Sequence, residues 1–562
     1  MKDVLCRLAM SVAAFAAMSP VAEAQQLPVI RDRQLLVDGK PYVALGGELH
    51  NSSASSPDYM LPIWDKLQAM HVQTVIGTVS WEDFEPKEGQ FDFRAVDAQI
   101  AEARKRDMRL VLIWFGAFKN AASTYAPSWV RGDTRRFPRA VVQGAMTEAF
   151  THKGAMPKPV LSVFSPELLK ADRAAFVALI KHLAEVDTNR RVIMVQVNNE
   201  TGLLRDSRDR SALAEAAWKA PVPTQLLKYL STHRSTLKPE LEATWSREGR
   251  RSSGTWAEVF GTDWQAEEVF MAWHFARYME ALAAAGKHEL ALPMYVNGWL
   301  GPQEGQPMAG QYPSGGPAKR VLDVWRAAAP SLDMLSPDIY APNVKEVLAD
   351  YDHAGNPLFV PEAQFRTGDI FWALGQHRAI GYSVFGIEDG RIDGQLAQAF
   401  SALSGMDGMI AQAQAEGRIA GVLLDDGKPA VIKLGDYTIT VQETMALLKQ
   451  MLLDVGLQAP PPPPPLSSET EGPTARPSPG DGRAFGLIID EGNDTFLIVG
   501  KGFTADFAIG SKLAEVDRVE EGHFNAKSWL ARRVINGDER LSVIPTDRIG
   551  TIRIKLMRPA PS

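Results

Sequence analysis

The stretch VIMVQVNNETGLL, residues 192–204, carries an apolar run that stops abruptly in two amides and a carboxylate. The run is interrupted only by Gln196 and has the composition of a strand that is buried on both faces. Asn198, Asn199 and Glu200 follow it directly. Either the strand reaches solvent at this point, or a site at its end needs these three groups.

Seven more strand-like runs of this kind alternate with amphipathic helical patterns in the first two thirds of the chain. Alternation of near-continuous apolar strands with helices indicates a parallel sheet covered by helices. Eight such units predict a (β/α)8 TIM barrel, with long loops after its third and fourth strands. A doubly wound open sheet is the alternative, but no Gly-rich phosphate loop follows the first strand. The predicted strands are 42–50, 73–81, 109–116, 192–200, 292–299, 333–340, 358–365 and 381–388, and the predicted helices include 94–107, 167–186, 267–286 and 368–378.

The pattern changes beyond residue 390. Residues 395–416 look helical, and strand-like runs follow on both sides of a proline-rich insert at 459–483. The insert cannot build a core, so we predict a polyproline or disordered loop there. We predict one smaller, sandwich-like β-domain over 415–562 that this insert interrupts, after a catalytic barrel over 25–400. A linker between two separate modules is the alternative.

Residues 1–24 have the features of a signal peptide. Lys2 and Arg7 flank a short charged start, an Ala-rich core follows, and Ala22-Glu23-Ala24 provides small residues for cleavage. The single cysteine, Cys6, would leave with this segment, so the mature chain would have no disulfides or thiolate ligands. We therefore expect an exported, periplasmic protein without a membrane span. The formal net charge of −7 gives no basic surface for nucleic acid.

Each predicted barrel strand ends in polar or aromatic residues, at the face where the active sites of such barrels lie. Glu200 ends strand four and Glu362 ends strand seven, so the two carboxylates can face each other across the barrel mouth. Glycoside hydrolysis needs such a pair, one protonated and one ionised, about 5–5.5 Å apart in a retaining enzyme. The other strand-end residues that we consider for substrate contact are Asn199, Glu48, Trp81, Glu82, Trp299 and Tyr340.

Four of these residues have specific expected roles. An amide beside the acid, as in Asn199, can hydrogen-bond a sugar 2-hydroxyl. Tyr340 could donate a hydrogen bond to Glu362 and keep that carboxylate ionised, although packing is the alternative role for this ring. Trp81 and Trp299 could stack on sugar faces, with core packing as the alternative.

Three motifs resemble those of glycoside hydrolase family 35, the β-galactosidases. QVNNETG, residues 196–202, is similar to the family's strand-four motif, and GGELHNSS, residues 46–53, resembles its first-strand motif. TVSWEDFEPKEGQFDF, residues 78–93, looks like its second-strand motif. The resemblance implies β-galactoside hydrolysis with retention, Glu200 as acid/base, Glu362 as nucleophile, and no metal or other cofactor. The layout resembles the bacterial branch with a compact C-terminal domain, some members of which act on galactosylated plant polysaccharides such as xyloglucan.

The departures from this motif set lie at positions that line the sugar subsite in the family: Asn51, Glu82, Phe84, Asn198 and Thr201. Families 42, 5 and 2 share the barrel and the Asn-Glu…Glu arrangement. We therefore predict a β-galactosidase acting on oligo- or polysaccharides. The alternatives are another β-glycosidase specificity, such as β-glucoside or α-L-arabinoside, and a carbohydrate-binding barrel with weak chemistry.

Overall fold

The computed structural model describes residues 26–143, 159–425, 427–458, 461, 466–472, 475–525 and 528–558. The predicted signal peptide and parts of the proline-rich insert lie outside these residues. None of the described helices is long and apolar enough to cross a membrane.

A short antiparallel sheet precedes the barrel and packs Leu35 and Val37 into the core inside it. Its strands are β1 (Val29–Arg31), β2 (Gln34–Val37) and β3 (Lys40–Pro41). The barrel strands are β4 (Ala44–Glu48), β5 (Thr74–Ser80), β6 (Arg109–Lys119), β7 (Val192–Asn199), β8 (Met294–Trp299), β9 (Met334–Ile339), β10 (Phe359–Val360), β11 (Glu362–Ala363) and β12 (Gly381–Phe385).

All pairings between the barrel strands are parallel, and strand seven closes the ring in two pieces. Pro361 separates β10 from β11 and has no N–H to donate. β10 pairs with β12, and β11 pairs with β9 on the other side. The remaining strands follow each other in chain order from β4 to β9. The predicted (β/α)8 barrel is confirmed.

Helices cover the outside of the barrel, and four short ones fill the long connection after β7. The predicted helix over 395–416 is two helices, because Gly405 between them has a φ of 76° and ends the first. The helices are α1 (Pro57–Ala69), α2 (Trp81–Phe84), α3 (Arg94–Lys105), α4 (Ser128–Gly132), α5 (Pro166–Val186), α6 (Ala212–Lys219), α7 (Thr224–Thr232), α8 (Pro239–Arg247), α9 (Trp256–Phe260), α10 (Trp264–Glu289), α11 (Leu322–Ala328), α12 (Val344–Tyr351), α13 (Thr367–His377), α14 (Gln395–Leu403), α15 (Asp407–Glu416) and α16 (Thr444–Asp454).

The C-terminal region contains a six-stranded sheet and a four-stranded sheet, whose facing apolar side chains form one core. The opposite face of the six-stranded sheet joins the core of the barrel layer through residues such as Phe485 and Leu487. The predicted β-rich domain is confirmed. Its strands are β13 (Ile419–Leu424), β14 (Ala430–Leu434), β15 (Tyr437–Glu443), β16 (Ala484–Gly492), β17 (Thr495–Lys501), β18 (Phe503–Ile509), β19 (Lys512–Leu513), β20 (Glu515–Asn525), β21 (Ser528–Val534) and β22 (Gly550–Met557).

The described part of the proline-rich insert is a loop held against the barrel. The N–H of Arg391, after β12, donates to the carbonyl of Glu469, and Asp481 accepts from the N–H of Gly368 at the start of α13. Arg483 forms ion pairs with Asp369 and Asp481, each at 2.7 Å. These described residues therefore have partners in the barrel, which their composition alone did not predict.

Candidate active site

The end of β7 departs from ordinary strand alternation. Asn198 has a φ of 60°, a left-handed conformation that Asn tolerates better than most residues. Its Oδ1 accepts from the N–H of Phe118 at 2.9 Å and its Nδ2 lies 3.4 Å from Met279 Sδ, in the layer between barrel and helices. The side chain of Asn198 therefore points away from the barrel mouth, unlike the corresponding position in family 35, which lines the sugar subsite.

The same backbone irregularity brings Gln196 and Asn199 to one side of the strand, where they form an amide network. Asn199 Oδ1 accepts from Gln196 Nε2 and from Asn297 Nδ2, each at 2.9 Å. Asn297 Nδ2 also donates to Asp338 Oδ2 at 2.7 Å, and its Oδ1 accepts from the N–H of Glu200 at 2.9 Å. Within the described residues, no group accepts from the buried Nδ2 of Asn199. That amide is fixed in orientation and keeps both N–H donors of its Nδ2 for a ligand.

Glu200 is held by its backbone, while its carboxyl group is buried. Its φ of 44° is a strained value of the kind that collects at functional sites. Its carbonyl accepts from the N–H of Ala121 at 3.0 Å, and the residue is 6% exposed. Burial and the negative charge of Glu362 raise the pKa of Glu200 to about 8. Both causes therefore favour the protonated form of Glu200 at neutral pH.

Glu362, on β11, faces a different environment. Its Oε1 accepts a hydrogen bond from the Tyr340 hydroxyl, the contact that the sequence predicted. Burial raises the pKa of Glu362, but the cation of Lys119 and the Tyr340 hydroxyl both oppose that rise. Glu362 Oε2 has no partner among the described residues. The two environments separate the pKa values of the pair, with the proton on Glu200 and the charge on Glu362.

Two further carboxyl groups and one lysine complete the cluster. Glu48, at the end of β4, is fully buried, and burial and the charge of Glu362 raise its pKa well above its ordinary range. The same causes raise the pKa of Asp338 on β9. Lys119, at the end of β6, provides positive charge here, and the sequence analysis missed it because the predicted strand three stopped at residue 116. Across the described part of the chain, no cluster of three or more His, Cys, Asp or Glu side chains could hold a metal ion.

The structure does not bring Trp81 and Glu82 into this cluster. Trp81 begins α2 instead of ending a strand, is fully buried, and donates from Nε1 to Glu85 Oε2 at 2.8 Å. Its ring is enclosed by Trp129 and other aromatic rings, so no face of it is open to a sugar. Glu82 pairs with Arg131 at 3.1 Å. Trp299, by contrast, ends β8 beside the cluster and is partly exposed.

A cavity of about 560 Å³ lies on the same face of the barrel as the cluster, between the loops that follow β4 and β5, and among the described residues it shares no lining residue with the cluster. Asn51, Glu82 and Tyr125 are among the residues that line it. The ring of Tyr125 lies 5.0 Å from that of Phe115, and Lys119 Nζ lies 4.7 Å from the same Phe115 ring. One aromatic ring therefore separates the cavity wall from the lysine of the cluster.

Two family models match the chain. Residues 58–248 match the β-galactosidases of glycoside hydrolase family 42, and residues 396–544 match a family described as a domain of unknown function, DUF5597. No curated protein matches the chain. Over residues 58–248 the chain is therefore similar to β-galactosidases, the enzyme class that the sequence predicted.

Solved structures with a similar fold include several β-galactosidases, all at low identity. A family 42 β-galactosidase from G. stearothermophilus is 12% identical with a TM-score of 0.47, over 92% of this chain and 98% of that one. The enzyme from Rahnella sp. R3 is 12% identical with a TM-score of 0.44, over 92% and 99%. The enzyme from Marinomonas ef1 is 12% identical with a TM-score of 0.40, over 66% and 59%. The chain thus spans 59% of the length of the Marinomonas enzyme, and likenesses of this size say nothing about its substrate.

The predicted family requires a correction. The resemblance to family 35 rested on three motifs, and the catalytic residues within them, Asn199 and Glu200, belong with Glu362 to an arrangement that several families of this barrel share. These residues indicate the reaction but do not distinguish one family from another. The model that matches over residues 58–248 is that of family 42, and the assignment to family 35 is wrong.

Proposed function

We propose that this protein is a retaining β-galactosidase in which Glu200 is the general acid and base and Glu362 the nucleophile. One observation carries the proposal: two buried carboxyl groups lie at the barrel mouth in surroundings that favour the proton on Glu200 and the charge on Glu362. The negative charge of Glu362 helps to raise the pKa of Glu200 to about 8, while Tyr340 and Lys119 favour the ionised form of Glu362. Such a pair is what double displacement at an anomeric carbon requires.

In this proposal Glu200 and Glu362 act in a two-step reaction. In the first step, a Glu362 oxygen attacks the anomeric carbon while Glu200 gives its proton to the departing glycosidic oxygen. The bond to the sugar removes the charge of Glu362, so the pKa of Glu200 falls and Glu200 stays ionised until water arrives. In the second step, Glu200 takes a proton from that water as its oxygen attacks the anomeric carbon, and Glu362 departs as a carboxylate.

The amide network has a place in the same scheme. Asn297 holds both the side chain of Asn199 and the backbone of Glu200, so the two residues are fixed relative to each other. The free Nδ2 of Asn199 is available to the sugar 2-hydroxyl, and such a bond strengthens as positive charge develops on the ring. The cavity of about 560 Å³ on the same face of the barrel leaves room for a substrate longer than a simple galactoside, such as galactosylated oligosaccharides from plant polysaccharide side chains like those of xyloglucan.

The test is hydrolysis of a nitrophenyl β-galactoside by Glu362→Ala and Glu200→Ala. Glu362→Ala should lose roughly a thousandfold or more in kcat. Glu200→Ala should lose far more activity on a poor leaving group, such as an alkyl galactoside, than on nitrophenol, which needs no proton. In the wild type, kcat/KM should fall as the pH rises through about 8, where Glu200 loses its proton.

Glu88→Ala serves as the control, since Glu88 is an exposed acid that pairs with Arg136 on a nearby loop. It should behave as wild type. Normal turnover by Glu362→Ala would contradict the proposal, and sugar binding without turnover by the wild type would favour a binding protein. A panel of nitrophenyl β-glucoside and α-L-arabinoside alongside the galactoside tests the choice of sugar.

We also propose that the protein is exported to the periplasm. The support is the sequence of residues 1–24, with its charged start, apolar core and small cleavage residues. Cell fractionation of the full chain should find the activity outside the cytoplasm. Deletion of residues 2–24 should leave it in the cytoplasm, and an unchanged distribution would refute export by this segment.

A further inference from the structure

Lys119 is fixed against the strand that carries Glu200. It is the last residue of β6, its register partner on β7 is Asn199, and it is only 6% exposed. The two residues after it donate backbone hydrogen bonds to β7, Asn120 N–H to the Asn199 carbonyl at 3.1 Å and Ala121 N–H to the Glu200 carbonyl at 3.0 Å. The backbone of Lys119 therefore has a defined position relative to Glu200.

The ammonium group is placed over an aromatic ring, without a direct ion pair. Its Nζ lies 4.7 Å from the centroid of Phe115, a residue of the core inside the barrel. In the described chain, no hydrogen bond joins this ammonium to a carboxylate of the cluster. Desolvating a charge is costly, and a cation–π contact returns only part of that cost. The negative charge of the surrounding carboxyl groups provides the remaining stabilisation of the Lys119 ammonium.

That field comes from several elements of the barrel. The charge of Lys119 favours the ionised form of Glu362, of Glu200 and of the two other carboxyl groups of the cluster. A single proton on Glu200 is catalytically useful only while Glu362 stays ionised. The titratable groups that face this region are Glu48 from β4, Glu200 after β7, Asp338 from β9, Tyr340 after β9, Glu362 from β11, Tyr295 from β8 and Glu388 after β12.

We propose that Lys119 is a positioning residue for this reaction: its positive charge, held beside the strand that carries Glu200, favours the ionised forms of both catalytic acids and so sets the pH range in which the pair works. This inference rests on the proposed function. Lys119 would then help Glu200 and Glu362 to set the pH range of the enzyme, although it does not touch the reacting atoms.

The experiment compares the pH profiles of kcat/KM for a nitrophenyl β-galactoside in Lys119→Met, Lys119→Arg and wild type. Lys119 favours ionisation of both catalytic acids, so its removal should move both limbs of the profile to higher pH, by about one unit. At a fixed pH on the acid limb, this shift lowers kcat/KM roughly tenfold. Lys119→Arg retains the charge and should keep both limbs near their wild-type positions.

Lys345→Met is the matched control. Lys345 also lies over an aromatic ring, with Nζ 4.5 Å from the centroid of Trp372, but its ion pair is with Asp425. Its removal deletes one positive charge and one cation–π contact without changing the field at Glu362. The profile of Lys345→Met should match that of wild type.

A second measurement covers the case in which Lys119→Met turns over too slowly for a profile. The rate of inactivation by a 2-deoxy-2-fluoro-galactosyl fluoride depends on ionised Glu362. The acid limb of the pH profile of this rate should move to higher pH in Lys119→Met. A loss of rate with unmoved limbs in both assays would overturn the inference and leave Lys119 a structural residue. A wild type that neither hydrolyses the galactoside nor becomes labelled at Glu362 would instead refute the proposed function.

Discussion

Asn198 and Glu200 both have left-handed backbone torsions, with φ values of 60° and 44°, on either side of Asn199. This irregularity turns Asn198 outward and lets Gln196 and Asn199 share one hydrogen bond inside the barrel. An Asn is suited to position 198, because its short amide tolerates the left-handed region. The residue that departs most from the expected motif is therefore explained by backbone geometry, with no need for a role in sugar binding.

Tyr340→Phe tests the contact with Glu362 at the level of one hydroxyl. A hydrogen bond to a charged group contributes about 1.5–3 kcal/mol, so its loss should lower kcat/KM by roughly 10- to 100-fold on the acid side of the profile. Because the hydroxyl favours the ionised form of Glu362, the acid limb should move to higher pH. Tyr59→Phe, at an exposed ring on α1, should change neither quantity. An unmoved acid limb in Tyr340→Phe would show that this hydroxyl does not control Glu362.

Among the elements, hydrophobic periodicity located all eight barrel strands and the helices tested against it. Periodicity could not show where a strand gives way to a helix or where it continues beyond its apolar run. Trp81 follows an apolar run directly, but it starts α2, so its ring is turned into the layer of aromatic side chains. β6 continues past its apolar run to Lys119, which no apolar pattern marks. The positions of Glu200 and Glu362 were predictable because each lies at the end of an apolar run. The position of the Lys119 charge relative to them depends on strand register, which the sequence does not show.

Asp172 shows how one buried carboxyl group ties three elements behind the site. From α5 it accepts hydrogen bonds from Trp114 Nε1 at 2.7 Å, from the Ala117 N–H at 3.1 Å and from the Tyr278 hydroxyl at 2.9 Å. Burial outweighs these donors and raises the pKa of Asp172 to about 6. A carboxyl group with a raised pKa in the folded state contributes stability below its unfolded pKa and loses that contribution as the pH rises through about 6.

Asp172→Asn should remove this pH dependence. The free energy of unfolding of the wild type, relative to the variant, should fall by about 2 kcal/mol between pH 4 and pH 7. Urea unfolding at the two pH values measures the difference. Asp58→Asn, at an exposed position on α1, should show a wild-type dependence. Equal slopes for Asp172→Asn and wild type would contradict the raised pKa of this residue.

At the scale of the whole molecule, the β-domain braces the half of the barrel that carries the nucleophile. Its six-stranded sheet packs through β13 and β16 against α13, the helix that follows Glu362. The sequence predicted strands on both sides of the proline-rich insert because local patterning is visible there. It could not predict which surfaces of barrel and β-domain meet, since such contacts depend on residues far apart in the chain. Gly375 and Gly421, unremarkable in the sequence, mark the closest approach.

Gly375→Ala tests whether this contact supports the active site. A Cβ on Gly375 would lie 2.2 Å from the backbone nitrogen of Gly421 on β13, so helix and sheet must separate. Overpacking of this kind costs about 1–3 kcal/mol, which a lowered midpoint of urea unfolding would report. Activity should fall with it, because the shifted helix begins five residues after Glu362. Gly408→Ala is the control, since nothing lies within 4 Å of its added Cβ in α15, and it should be neutral or slightly stabilising. Equal stability of the two variants would mean that α13 and β13 do not pack this closely in solution.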